Sequence, residues 1–188
     1  VYPVSVIAEE QESYNRLLPF VKWLLALPHY VALSFLAIGS WLVALVSFFA
    51  VLFTGRYPVS LWDFMVGVRR WQVRVAAYVW LMDDRYPPFS INEREGDRVR
   101  LDASHPETVE RWRPFVAWFL ILPYLGIALL LLLLAKVCMV VSFFTIVFTG
   151  RLHDGVFEIQ RNSLQWYARA ISYTYWMGTV YPPFSWED

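Results

Sequence analysis

Residues 17–53 read LLPFVKWLLALPHYVALSFLAIGSWLVALVSFFAVLF, and residues 112–148 read WRPFVAWFLILPYLGIALLLLLLAKVCMVVSFFTIVF. Beyond residue 21 of the first run, Lys22 and His29 are the only strongly polar side chains. Beyond residue 115 of the second, Lys136 is the only charge. Runs of this length exceed the roughly 20 residues that one bilayer crossing needs. They predict an all-α integral membrane protein.

The two runs are copies, and the copying extends outward from them at a constant offset of 95 residues. Arg16, Pro19, Phe20, Trp23 and Pro28 return as Arg111, Pro114, Phe115, Trp118 and Pro123. Phe53-Thr54-Gly55-Arg56 returns as Phe148-Thr149-Gly150-Arg151. Trp71, Arg74 and Tyr78 return as Trp166, Arg169 and Tyr173, and each copy closes on Tyr-Pro-Pro-Phe-Ser, at residues 86–90 and 181–185. A register kept through loops as well as helices predicts a duplicated module with internal pseudo-symmetry, residues 1–95 and 96–188.

Composition agrees with a membrane protein and narrows its partners. The chain is 58% hydrophobic and only 17% charged, whereas a soluble domain is nearer half apolar and a quarter charged. Sixteen basic and sixteen acidic residues leave no net charge, so no nucleic acid is expected as a partner. The single Cys138 sits in an apolar run and reads as a small core residue. The start, Val1-Tyr2-Pro3-Val4, is strand-like and carries no signal-peptide pattern.

Each copy opens on a short alternating segment, residues 4–8 and 99–103, which predicts two brief strands outside the membrane that pair across the symmetry axis. The apolar run that follows is too long for one upright helix: 37 residues would reach roughly 55 Å against a hydrocarbon core of about 30 Å. Two arrangements fit. Pro28 can break the run, leaving residues 17–27 at the interface and a single crossing after them. Alternatively, the run folds as a tight transmembrane hairpin turning at Gly39-Ser40-Trp41 and Leu134-Ala135-Lys136. The hairpin is favoured because it brings Lys136 to a tip near water, while a single crossing leaves it near mid-bilayer at about 2.5–3.5 kcal/mol.

Residues 61–82 and 156–177 predict one further helix per copy. Asp63, Arg70 and Arg74, mirrored by Glu158, Gln165 and Arg169, form a narrow polar stripe on an aromatic-rich helix suited to the headgroup boundary. The duplicated Arg56, Arg74, Arg151 and Arg169 are candidate contacts to lipid headgroups or a partner through bidentate hydrogen bonds. As a plain alternative they anchor and cap helix ends.

Phe-Thr-Gly-Arg-Tyr-Pro at residues 53–58, Trp71, Arg74 and Asp-Arg-Tyr-Pro-Pro-Phe-Ser at residues 84–90 resemble the bacterial membrane family catalogued as domain of unknown function 4389, here in two tandem copies. The second copy departs at Leu152-His153 and Thr179-Val180, so roles of the residues replaced there belong to one copy only. The resemblance implies a bacterial membrane protein and carries no activity with it. A multi-pass position in the inner membrane, charged face toward the cytoplasm, is expected.

His29, His105 and His153 are scattered and unrepeated, and Tyr124 stands where His29 would recur. Asp83-Asp84-Arg85 could hold a cation or a headgroup, or simply be a solvated helix end. With no Ser-His-Asp set, metal-ligand spacing or phosphate loop in view, no enzyme and no cofactor are expected. The expected function is non-enzymatic: a structural or accessory subunit, or scaffold, of a larger membrane complex, with membrane lipids and other membrane proteins or itself as partners. An oligomeric transporter or channel, and an anionic-lipid-binding membrane organiser, are the alternatives.

Overall fold

The computed structural model describes residues 2–186, so Val1 of the strand-like start lies outside it. The chain runs through strand β1 (Val4–Ala8), a 3-10 turn (Leu18–Phe20), and helices α1 (Lys22–Leu25), α2 (Leu27–Thr54) and α3 (Val59–Val79). It then repeats the plan as β2 (Val99–Ala103), α4 (Arg113–Leu120), α5 (Leu122–Thr149) and α6 (Asp154–Thr174).

The favoured hairpin is not formed. Both α2 and α5 run as 28-residue helices straight through the expected turns. Nothing at residues 39–41 requires a reversal: Ser40 Oγ donates to Leu36 O one turn back at 2.8 Å, a bond made within the helix. Gly39 serves packing instead, because a Cβ there would sit 3.3 Å from the Phe64 ring. The interruption comes earlier, at Ala26 and Ile121, just before Pro28 and Pro123. Each proline lacks the N–H that would bond one turn back, so the shorter helix ends and the long one starts afresh. Of the two arrangements, the break at the proline is the feature the chain forms.

Phe-Thr-Gly-Arg ends both long helices in the same way. Gly55 and Gly150 adopt φ of 69° and 73°, and their N–H groups donate to Val51 O and Ile146 O at 2.8 Å. This left-handed cap is where glycine is needed. Thr54 and Thr149 each donate back to the helix at 2.6 Å and accept the following arginine's backbone N–H at 3.1 Å.

The strands pair antiparallel, with Val6 opposite Leu101. These two residues are 95 apart and so are repeat counterparts, which sets a local two-fold axis through the centre of the pair, normal to the sheet. Packing crosses that axis. Arg70 Nε on α3 donates to Leu101 O of β2 at 3.1 Å, and its counterpart Gln165 on α6 bonds the backbone of Val4 and Val6 in β1. Tyr14 N donates to Gly150 O, and Val109 N donates to Gly55 O, both at 2.9 Å.

Helix α3 lies between strand and long helix. Along one face it follows β2 in reverse, through Trp62 on His105, Arg70 on Leu101 and Arg74 on Asp97. Along another it follows α2 in reverse, through Phe64 against Gly39 and Trp71 on His29. The polar stripe of α3 and α6 is therefore not a free edge, as the sequence suggested; much of it is spent on the neighbouring strand.

Candidate functional site

The duplicated arginines separate into two kinds. Arg56 and Arg151 are exposed beyond the helix caps, and their backbones complete the threonine turn. Arg74 and Arg169 are 7% and 0% exposed, so neither offers an open grip to a lipid headgroup. Arg74 closes onto Asp97 at 3.2 Å and onto the carbonyls of Ser90 and Asn92 at 2.7 and 3.2 Å. Burial draws its guanidinium below the ordinary range, and Asp97 opposes the shift. Arg169 lies over the Tyr2 ring, 5.4 Å from its centroid. Tyr2 and Asp97 are repeat counterparts, so each arginine reaches the segment that leads into the strand of the other copy.

Lys136 is not at a tip. It sits at the middle of α5, exposed, among exposed Leu133, Val137 and Val140. Its counterpart Trp41 is 70% exposed. The reason given for the hairpin therefore fails together with the hairpin.

Two buried cations were missed as site residues. Lys22 is 1% exposed, with Nζ 2.8 Å from Asp84 Oδ1, donating to Asp83 O at 2.8 Å and lying 4.8 Å from the Tyr78 centroid. In the second copy Ala117 and Thr179 replace Lys22 and Asp84. Arg113, at the counterpart position of Leu18, supplies the charge instead. It pairs with Glu110 at 2.7 Å, donates to Thr179 O and lies 5.2 Å from the Tyr173 centroid. A cation over the repeated tyrosine is kept in both copies by different residues.

His29 packs in an aromatic nest. Its ring stacks on Phe89 at 4.1 Å, meets Tyr86 at 4.8 Å, and its Nδ1 accepts from Trp71 Nε1 at 3.1 Å. Tyr124 takes the same place in the second copy, stacked on Trp166 at 4.5 Å. The closing Tyr-Pro-Pro-Phe-Ser segments thus fold back to cover the starts of α2 and α5. Among the described residues no group of three or more His, Cys, Asp or Glu is arranged to hold a metal ion.

Arg74, Asp83, Arg85, Tyr86, Arg94 and Glu95 are among the residues that line a polar cavity of about 280 Å³. It has no match in the second copy's residues 178–180, where Gly178, Thr179 and Val180 replace Asp83, Asp84 and Arg85.

A family model described as a domain of unknown function (DUF4389) matches residues 17–90 and again residues 111–185. Both strands lie outside the matched spans. No curated protein and no solved structure matches the chain.

Proposed function

Starting from a chain that belongs to the DUF4389 family, in two tandem copies, we propose that it is a non-enzymatic integral membrane protein acting as a scaffold or accessory subunit of a larger membrane complex. The observation that carries this reading is that the most apolar helices are the least buried. Only 22% of the most apolar stretch of α2, and 22% of that of α5, is buried. A core helix of a soluble protein hides such a surface; exposed patches of this size mark membrane or partner contact.

Phe35, Ile38, Trp41, Leu42, Leu45 and Phe49 on α2 give lipid or a partner helix one continuous apolar face. Trp23, Tyr30, Trp112 and Trp118 add exposed aromatics near the starts of the long helices, as interfacial anchors do. The outer face of the sheet carries Arg100 and Asp102, 39% and 43% exposed, and belongs in water. A bacterial inner membrane, with the sheet toward the cytoplasm, fits this two-sided character.

The test is purification of the tagged protein from its own membranes in mild detergent, with mass spectrometry of what accompanies it. The expected result is retention in the membrane pellet through alkaline carbonate and a stoichiometric larger membrane protein in the eluate. A lone homo-oligomer would sink the subunit reading.

A further inference from the structure

We propose that the polar cavity of the first copy binds a phosphoethanolamine group, the zwitterion of phosphatidylethanolamine headgroups and of the free phosphate monoester. The argument is a charge census of the walls. Arg74 is closed internally by Asp97 at 3.2 Å. That leaves Arg85, whose Nη1 donates to the neutral Gly96 carbonyl at 2.7 Å, and Arg94, which among the described residues has no hydrogen-bond or ion-pair partner. It also leaves Asp83, whose carboxylate accepts the Arg85 backbone N–H at 3.0 Å and feels the Lys22 ammonium, and Glu95, which among the described residues has no partner. Among the described residues, two arginines and two carboxylates that form no ion pair therefore line one concavity, with the Lys22 ammonium, already paired to Asp84, behind Asp83.

An anion alone would meet Asp83 and Glu95, and a cation alone would meet Arg85 and Arg94. A ligand with a phosphate at one end and an ammonium at the other satisfies both pairs. The guanidinium forks suit phosphate oxygens, and a primary ammonium brings three donors to the carboxylates. A trimethylated ammonium has no donor to give, and Tyr86 alone does not build the aromatic cage it prefers. At about 280 Å³ the cavity is just below the roughly 300–1,000 Å³ of drug-sized sites, which suits a small charged group. Exposed Tyr86 and Phe89 stand beside it as an apolar shoulder for acyl chains.

The lipid source of this group rests on the membrane reading above; the free source does not. The full chain is placed in nanodiscs of equal phosphatidylethanolamine, phosphatidylglycerol and phosphatidylcholine, and retained lipid is read by native mass spectrometry. In parallel, free phosphoethanolamine and phosphocholine are titrated calorimetrically into the protein in detergent. Expected is enrichment of phosphatidylethanolamine that falls at least about tenfold in R85Q/R94Q, from the loss of two charge-assisted contacts. Thermal melting should stay unchanged, since both side chains lie at the surface. Binding in the lipid arm alone assigns the site to headgroups, and binding of the free monoester alone assigns it to a soluble ligand. No preference for phosphoethanolamine in either arm, or a preference untouched by R85Q/R94Q, overturns the proposal. If carbonate strips the protein from membranes, the membrane reading fails while the calorimetric arm still decides the site.

Discussion

Lys22 carries the sharpest residue-scale expectation. Lys22→Met leaves Asp84 without its ion-pair partner; because the carboxylate is 18% exposed and still accepts from Asn15 N–H at 2.6 Å, the loss should lie at or below the roughly 3–5 kcal/mol of breaking a fully buried pair. The double change Lys22→Met with Asp84→Asn should recover much of that loss, read by thermal unfolding in detergent. Glu110 gives a pH signature. The hydrogen bond from Arg113 holds its carboxyl below the ordinary 4.5. The pair's stabilisation is therefore full above pH 4.5 and fades as pH falls through the lowered folded value. Wild type and Glu110→Gln should differ in melting temperature at pH 7 and converge toward pH 3; the gap is modest because the Glu110 side chain is half exposed. The sequence exposed Lys22 as an outlier in an apolar run but gave no hint of Asp84, 62 residues on. It concealed the substitution of Arg113 altogether, because a constant offset compares Lys22 with Ala117 and never with a residue one turn away. For Arg56 and Arg151 the contacts seen are backbone N–H bonds to Thr54 and Thr149, while the carbonyl of Thr149 is taken by Arg16 from the other copy.

Elements were legible where local chemistry alone decides them. Phe-Thr-Gly-Arg reads as a helix end from glycine's access to positive φ, and the strands read from their alternation. The turn at Gly39 was misread because a glycine beside a serine resembles a reversal, while the reason for that glycine is a ring on another helix. Two further glycines test whether packing or backbone freedom is at work. A Cβ at Gly67 would lie 2.8 Å from the Ile91 carbonyl oxygen, so Gly67→Ala must push the covering segment off α3, at about 1–3 kcal/mol. Gly126, inside α5, has nothing within 4 Å, and Gly126→Ala should be neutral or stabilising by up to about 1 kcal/mol. Matching melting shifts for the two variants would refute the distinction. Leu81 and Trp176, at φ of 66° and 59°, show the same end of α3 and α6 made without glycine. Met82 and Met177 donate back to Ala77 O and Ser172 O at 2.9 Å there, and that bonding holds the unfavourable backbone in place.

At the scale of the molecule, both ends of α2 are tied to the flanks of one water-facing strand. Its start is covered by the segment leading into β2, and its end is bonded to Val109 beyond β2. On the membrane reading proposed above, both ends are expected on one side of the bilayer, with the helix embedded obliquely between them. In sealed vesicles of a Cys138→Ala background, Ser60→Cys and Asn92→Cys should react with an impermeant maleimide from the same side. Labelling from opposite sides would mean that α2 crosses. The pairing of Val6 with Leu101 has a wider consequence. Because each strand and each entry segment is lent to the opposite copy, the chain is in effect a homodimer whose subunits have been spliced end to end. Severed in the exposed stretch around Gly96 and made as two polypeptides, the halves should find each other again and purify as one particle.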